Sequence, residues 1–256
     1  METCSNMTWN YWGIDLKLSI LTATHNDDRF IPDCAKSILS QAYPDFEWIV
    51  VDDCSTDGTF DFLSSIKDPR LRLFRNNEQL FCSSTYARAL KEATGEVCAV
   101  VDGDDALPPK AVKTIMKLYK KHRQLGYIYT QHWWCDMGLN KKRKGLSSLP
   151  GNMSFTKISL KKRKHCFSHW RTFKRHLSEQ VTLFPEGLKY SVDKNLGFVL
   201  ERVAYGGYCP EPLYLYRYYK GNMSLVHAKE QKKSWRELAE NFERMKSRTF
   251  PVVKVG

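Results

Sequence analysis

No apolar run in this chain approaches the roughly 20 residues that a membrane-spanning helix needs. No basic stretch followed by an apolar core opens it, so a secretory leader is not expected. Paired cysteines are also missing. The eight cysteines (Cys4, Cys34, Cys54, Cys82, Cys98, Cys135, Cys166 and Cys209) are scattered, and none forms a Cys-x-x-Cys pair. Zinc and thioredoxin-like chemistry therefore have no support. Cysteines set in apolar or helical stretches read as small buried hydrophobes, as in a reducing compartment. Neither a Walker loop nor G-x-G-x-x-G occurs. Acidic charge is in deficit: 28 Asp and Glu face 40 Lys and Arg, a formal net charge of +12. That excess suits an anionic partner, whether a nucleotide diphosphate, lipid headgroups or nucleic acid. Much of it lies in two basic runs, 141–144 and 161–164, each of which reads equally well as a solvated loop. The Asn-x-Ser/Thr triplets at Asn6, Asn152 and Asn222 read as chance matches.

What is present is an alternation of strand and helix patterns. With 256 residues and 42% hydrophobic content, the chain can bury a sizeable core. Residues 1–14 show no period and read as an arm. Strands are expected at 17–24, 46–51, 70–74 and 97–101, with helices at 28–41, 58–66, 83–93 and 108–122 between them. The last helix would carry Pro108 and Pro109 in its first turn. Strands alternating with helices imply a largely parallel sheet covered on both faces. Beyond residue 126 the pattern weakens. Strand is expected at 127–134, loop at 138–152, helix at 191–205 and strand at 209–219. A final helix at 225–247 would dock a stripe of Trp235, Leu238, Phe242 and Met245 on the body.

The segment Asp102-Gly103-Asp104-Asp105 carries the most information. An apolar run, Ala99-Val100-Val101, ends there in three carboxylates within four positions. Crowded carboxylates raise one another's pKa unless a cation neutralises them. Hard oxygen ligands suit Mg²⁺ or Mn²⁺, ions usually shared with substrate phosphates. Two other strands end similarly, in His25-Asn26-Asp27-Asp28 and in Asp52-Asp53-Cys54-Ser55-Thr56-Asp57-Gly58. Ligands of open α/β sheets bind outside the carboxyl ends of the strands. A metal–diphosphate site is the expectation.

The chain resembles glycosyltransferase family 2, of GT-A fold, from about Leu18 to Ser224. The resemblance is carried by Leu18 to Asn26, by Ser37 to Glu47, and by Val50 to Thr59. Asp102-Gly103-Asp104-Asp105 and Glu211-Pro212-Leu213-Tyr214-Leu215-Tyr216-Arg217 follow in the family's order. It implies a single Rossmann-like α/β domain with a mostly parallel mixed sheet flanked by helices. Residues 15–224 would form the catalytic domain, with a nucleotide half at 15–125 and an acceptor half at 126–224. Residues 225–256 would be a C-terminal helix and tail. It also implies an inverting transfer from a nucleotide-diphosphate sugar, UDP favoured, to an acceptor hydroxyl. Ala23, His25, Asn26 and Asp53 would line the nucleoside pocket. Asp102, Gly103, Asp104 and Asp105 would serve the ribose, the diphosphate and its Mn²⁺ or Mg²⁺. Asp193, at a helix start, would be the general base, with Glu186 in reserve. His165, His169 and Arg171 would face the acceptor or the diphosphate. His25 stands where the family often has Tyr, and Cys54 where Gly or Asn is common.

Inversion needs one general base and no nucleophilic Ser, Cys or Lys. Trp133, Trp134 and Trp170 are candidates to stack on a sugar, although large aromatics usually belong to cores. The acceptor, glycan, lipid-linked or protein, stays open. A cytoplasmic enzyme is expected, with peripheral contact to an anionic membrane left open. A nucleotidyltransferase acting on sugar phosphates would need a glycine-rich basic loop after the first strand, where this chain has acids. A non-enzymatic nucleic-acid-binding protein would explain the charge but not acids at every strand end. An EF-hand reading of 53–64 fails because Ser64 closes it rather than Glu.

Overall fold

The computed structural model describes residues 16–162, 166–245 and 248–256. The expected N-terminal arm lies outside them. Four parallel strands form the first half of the sheet: β1 (Leu18–Thr24), β2 (Phe46–Asp52), β3 (Leu71–Arg75) and β4 (Val97–Val100). They stand in the order β3-β2-β1-β4. β2 and β4 are buried along their whole length, which is why they read as continuous apolar runs. The crossovers are α1 (Ile31–Leu39), α2 (Thr59–Ser65) and α3 (Phe81–Glu92). The following helix, α4 (Ala111–Lys121), begins after Pro108 and Pro109 rather than on them, with Lys110 at its N-cap.

The second half is mixed. It contains β5 (Tyr127–Cys135), β6 (Lys141–Lys144), α5 (Phe155–Lys162), β7 (Arg171–Lys174), α6 (Val192–Val203) and β8 (Gly206–Arg217). α7 (Met223–Val226), α8 (Ala228–Arg244) and β9 (Val252–Lys254) complete it. β7 runs antiparallel between β4 and β5, while β8 is parallel to β5 and β9 parallel to β8. The result is a nine-stranded, mostly parallel sheet with helices on both faces.

Three expectations change. The 138–152 segment contains a strand, β6, paired with β5. The final helix is broken at His227 into α7 and α8. Trp235, Leu238 and Phe242 dock on the second hydrophobic core, but Met245 is 64% exposed. The chain after residue 224 packs through α8 on α5 and α6, and its last strand extends the sheet. Among the described residues no helix is long and apolar enough to cross a membrane.

Candidate active site

β1, β2 and β4 are parallel, so their carboxyl ends share one edge of the sheet. A cleft of about 470 Å³ opens there. It brings together Ala23, His25, Asn26, Asp53, Asp102, Gly103, Asp104, His169, Arg171 and Asp193. His165 lies outside the described residues. Asp105 and Glu186 are absent from the lining: Asp105 is buried and Glu186 is exposed. None of the three tryptophans lines the cleft. Trp170 is fully buried in the core, and Trp133 and Trp134 lie on β5 under the side chains of β6.

Asp53 does not simply point into the crevice. It is 4% exposed, and its carboxylate accepts hydrogen bonds from Asn76 Nδ2 (2.6 Å), Leu80 N (2.8 Å) and Phe81 N (2.8 Å). The last two donors open α3, whose N-cap Leu80 supplies no side-chain cap. Asp53 therefore also caps that helix across the loop. Its carbonyl accepts from His25 Nδ1 at 2.8 Å, which fixes the imidazole tautomer because a carbonyl cannot donate. His25 Nε2 then accepts from Asn26 Nδ2 at 3.2 Å. Asn26, at φ 56°, ties the first two strand ends together: its Oδ1 accepts from Thr56 N at 2.8 Å, and its N–H donates to Ser55 Oγ at 3.0 Å. Cys54 has φ 62°, the left-handed region that favours the Gly or Asn common there in the family.

The acidic turn after β4 splits its carboxylates. Asp105 is fully buried: its oxygens accept from Arg217 N (2.7 Å) and Tyr214 Oη (2.8 Å). Asp102 accepts from Tyr86 Oη (2.6 Å) and Arg171 Nη2 (3.0 Å). Arg171 reaches it because β7 pairs antiparallel with β4, setting Arg171 opposite Val100. The same Arg171 Nη2 donates to His169 Nδ1 at 2.9 Å. That imidazole is stacked on Tyr214 and Tyr216, with ring centroids 4.7 and 4.9 Å away. Burial first, then the Arg171 charge, holds His169 well below the usual imidazole range, so it is neutral.

Asp104 has weaker support. Its Oδ2 accepts from Tyr219 Oη at 3.2 Å and Asn222 Nδ2 at 3.3 Å. Asp27, which the sequence had not singled out as a site residue, accepts from Thr24 Oγ1 at 2.7 Å beside it. Burial, and then the Asp102 and Asp57 carboxylates, pushes Asp27 above the usual carboxylate range; burial, and then the Asp27 and Asp102 carboxylates, does the same to Asp104. Gly103 permits the approach: a Cβ there would lie 2.6 Å from Asp27 Oδ2 and 2.7 Å from Thr24 Oγ1.

These observations bear on a cation. Oxygen or nitrogen atoms of Asp102, Asp105 and His169 lie within 4.8 Å of one another, but the Arg171 guanidinium and the Tyr214 hydroxyl already bond to them. Asp104 and Asp27 face the cleft with no protein cation bonded to either among the described residues, so a hard divalent ion fits better there.

Across the cleft, Asp193 sits in the first turn of α6, after Ser191 at φ 59°. Lys194 Nζ donates to both its oxygens, at 3.1 and 2.9 Å. Lys189 and Phe81 stand at the mouth with the ammonium 3.8 Å from the ring centroid.

A profile of the family described as "Glycosyl transferase family 2" matches residues 19–182. The putative glycosyltransferase EpsE of Bacillus subtilis (strain 168) is 31% identical over 118 residues, 44% of this chain and 42% of that protein. The chain thus spans less than half the length of such curated relatives. The crystal structure of S. aureus TarS 1-349 in complex with UDP-GlcNAc aligns with TM-score 0.64 at 20% identity, covering 81% of this chain and 60% of that one. A mannosyltransferase from Pyrobaculum calidifontis, in complex with GDP-Man and Mn²⁺, aligns with TM-score 0.67 at 17% identity, covering 93% and 67%. At these identities the structural likeness concerns the fold, which is GT-A.

Proposed function

This chain belongs to glycosyl transferase family 2, and from that premise we propose that it moves a sugar from a nucleotide diphosphate to an acceptor hydroxyl, with inversion. The observation that carries the reading is one cleft with under-compensated carboxylates, Asp104 and Asp27, on one wall and Asp193 at a helix start on the other. UDP is the favoured carrier; TarS, of the same fold, is seen with UDP-GlcNAc.

Ala23, His25 and Asp53 receive the nucleoside, and Asp102 and Gly103 the ribose and diphosphate. Asp104, with Asp27, would hold Mn²⁺ or Mg²⁺. Such an ion supplies Lewis-acid stabilisation of the charge that develops on the leaving diphosphate. Arg171 fixes the Asp102 carboxylate through its 3.0 Å contact and keeps a cation in the cleft. Asp193 takes the acceptor proton as the hydroxyl oxygen bonds to the anomeric carbon. The bond from that carbon to the diphosphate breaks, and its electron pair leaves with the phosphate. One displacement inverts the anomeric centre. Lys194 holds the base carboxylate in place before the acceptor arrives. A nucleotidyltransferase is disfavoured by the carboxylate Asp27 after β1, where a cationic glycine-rich loop would be needed.

The test starts with a screen of UDP-, GDP-, TDP- and CMP-sugars for metal-dependent donor hydrolysis. With the donor found, Asp193→Asn is expected to lower kcat by about 10²–10⁴-fold. The donor Kd is expected to stay within a few-fold, since a base acts in the transition state. Asn can still favour a helix start, so the variant separates catalysis from capping. Near-normal turnover would reject Asp193 as the base.

A further inference from the structure

β6 is Lys-Lys-Arg-Lys, and all four residues are exposed. Nothing apolar in the strand explains why it forms. Its partners are on β5: Lys144 stands opposite Trp133, and Arg143 opposite Trp134. Lys141 and Lys144 lie over the Trp133 ring at 5.4 and 5.8 Å, and Arg143 lies over Trp134 at 4.2 Å. Successive strand residues face opposite ways, so each face of the hairpin carries a cation on an indole. Lys142 pairs with Asp136 at 2.9 Å. Among the described residues, Lys141, Arg143 and Lys144 have no carboxylate partner.

Beside these cations the protein exposes large apolar side chains. Leu146 is 68% exposed, Leu149 39% and Met137 38%. Tyr218, 38% exposed, packs on Trp134 with ring centroids 4.6 Å apart. A solvated basic loop would account for the lysines, but not for leucines left in water next to them. Cations without carboxylate partners and aromatics on this hairpin, with exposed leucines on the segment that follows it, match a bilayer surface, where headgroups are anionic and the acyl boundary is apolar.

We propose that the β5–β6 hairpin and the segment after it, through Leu149, dock this protein on a bilayer bearing anionic lipids. β6 is an edge strand that pairs with β5 alone among the described residues, so the bilayer meets the hairpin edge-on: Lys141, Arg143 and Lys144 reach the phosphates from both faces, and Leu146 enters the acyl boundary. Trp134 packs on Tyr216, a residue of the cleft, at 5.5 Å, so docking there sets the cleft beside the lipid surface. The inference goes beyond the transfer reading and is tested without any donor.

The experiment is co-sedimentation of the full chain with vesicles of phosphatidylcholine alone or mixed with phosphatidylglycerol, at near-physiological salt. The protein is expected to pellet with the mixed vesicles and stay in solution with the neutral ones. Each cation near an anionic surface is worth about fivefold in partitioning, so Lys141→Gln/Arg143→Gln/Lys144→Gln is expected to lose on the order of 100-fold. Leu146→Ser is expected to lose about tenfold. The same charge change on α8, Lys229→Gln/Lys232→Gln/Lys233→Gln, is expected to cost only a few-fold. Arg143→Gln alone, expected to lose about fivefold, serves if the triple variant has a lowered thermal midpoint. No pelleting with mixed vesicles would overturn the proposal, as would equal losses from the hairpin and α8 variants. Loss with the cations but none with Leu146→Ser would point to a soluble polyanion and would overturn it too.

Discussion

Asp53→Ala separates a nucleotide ligand from a structural anchor, because the side chain has both opportunities. Its carboxylate takes donors from Asn76, Leu80 and Phe81 at 2.6, 2.8 and 2.8 Å. Asn76 is 2% exposed, so water cannot replace its lost acceptor; Nδ2 keeps Thr85 Oγ1 at 3.3 Å, but leaving its other N–H unsatisfied costs about 1–3 kcal/mol. Leu80 and Phe81 are each more than a third exposed, so their N–H groups can rehydrate. Their loss is closer to that of a helix cap, about 1 kcal/mol. The total of about 3 kcal/mol corresponds to a fall of roughly 6–12 °C in Tm for a chain of this size. Asp53→Asn keeps one acceptor oxygen and is expected to lose about half as much. If the carboxylate also binds the nucleotide base, UDP affinity drops about 10–100-fold, the worth of one charge-assisted hydrogen bond. The assays are thermal unfolding, and calorimetry with UDP well below the variant's midpoint. An unchanged Tm would refute the anchoring argument. A lowered Tm with an unchanged UDP Kd would remove Asp53 from the nucleotide site.

Asp104→Asn is expected to abolish any gain in UDP affinity on adding Mn²⁺. Calorimetry with Mn²⁺ and with EDTA checks this, and wild-type affinity that ignores the metal would end the cation reading. Glu47→Gln probes a different network. Burial opposes the ionised form of Glu47, but hydrogen bonds from Ser19, Thr94 and Arg72 outweigh it and bring its pKa from 4.5 down to about 2. A depressed carboxylate stabilises the fold above its unfolded value and loses that contribution as pH falls from about 4.5 towards about 2. Wild type is therefore expected to exceed the variant by about 2–3 kcal/mol at pH 7, with the gap closing on acidification. Urea unfolding across that window measures it, and a gap independent of pH would refute the assignment.

The first half of the fold was legible because β1, β2 and β4 end their apolar runs in polar residues, β3 alternates, and helices with apolar positions lie between them. The second half depends on pairings between distant segments. β5 and β8 pair with register shifts at Thr130/Gln131 and Gln131/Trp133, which no local period encodes. β6 was invisible because a strand of four exposed cations has neither alternation nor an apolar run. The break at His227 was hidden because residues 225–247 hold no proline or glycine to mark a stop. At the site, residue type identified the strand-end acids but not their surroundings. Asp53 reads as a strand-end acid of the nucleoside pocket, and only the return of residues 76–81 shows what its carboxylate holds.

The same limit explains the acidic turn. Asp102, Asp104 and Asp105 are equivalent as letters, yet their electrostatic settings differ. Asp105 is sealed by a backbone N–H and a tyrosine hydroxyl, and Asp102 is neutralised by the buried Arg171. A fold can tolerate such carboxylates indefinitely, because a buried charge with its partners present has little to gain from an added ion. Asp104 and Asp27 have hydrogen bonds but no bonded cation among the described residues; Asp27 and Asp102 raise Asp104, and Asp102 and Asp57 raise Asp27. Retaining two such groups at one cleft costs stability, and the protein could relieve that cost with a single lysine. Glycine at position 103 draws them closer instead, since any side chain there would force the turn away from Asp27 and Thr24. On the proposed function that cost lies where a cation and a diphosphate would remove it, as a binding site would place it and a structural turn would not.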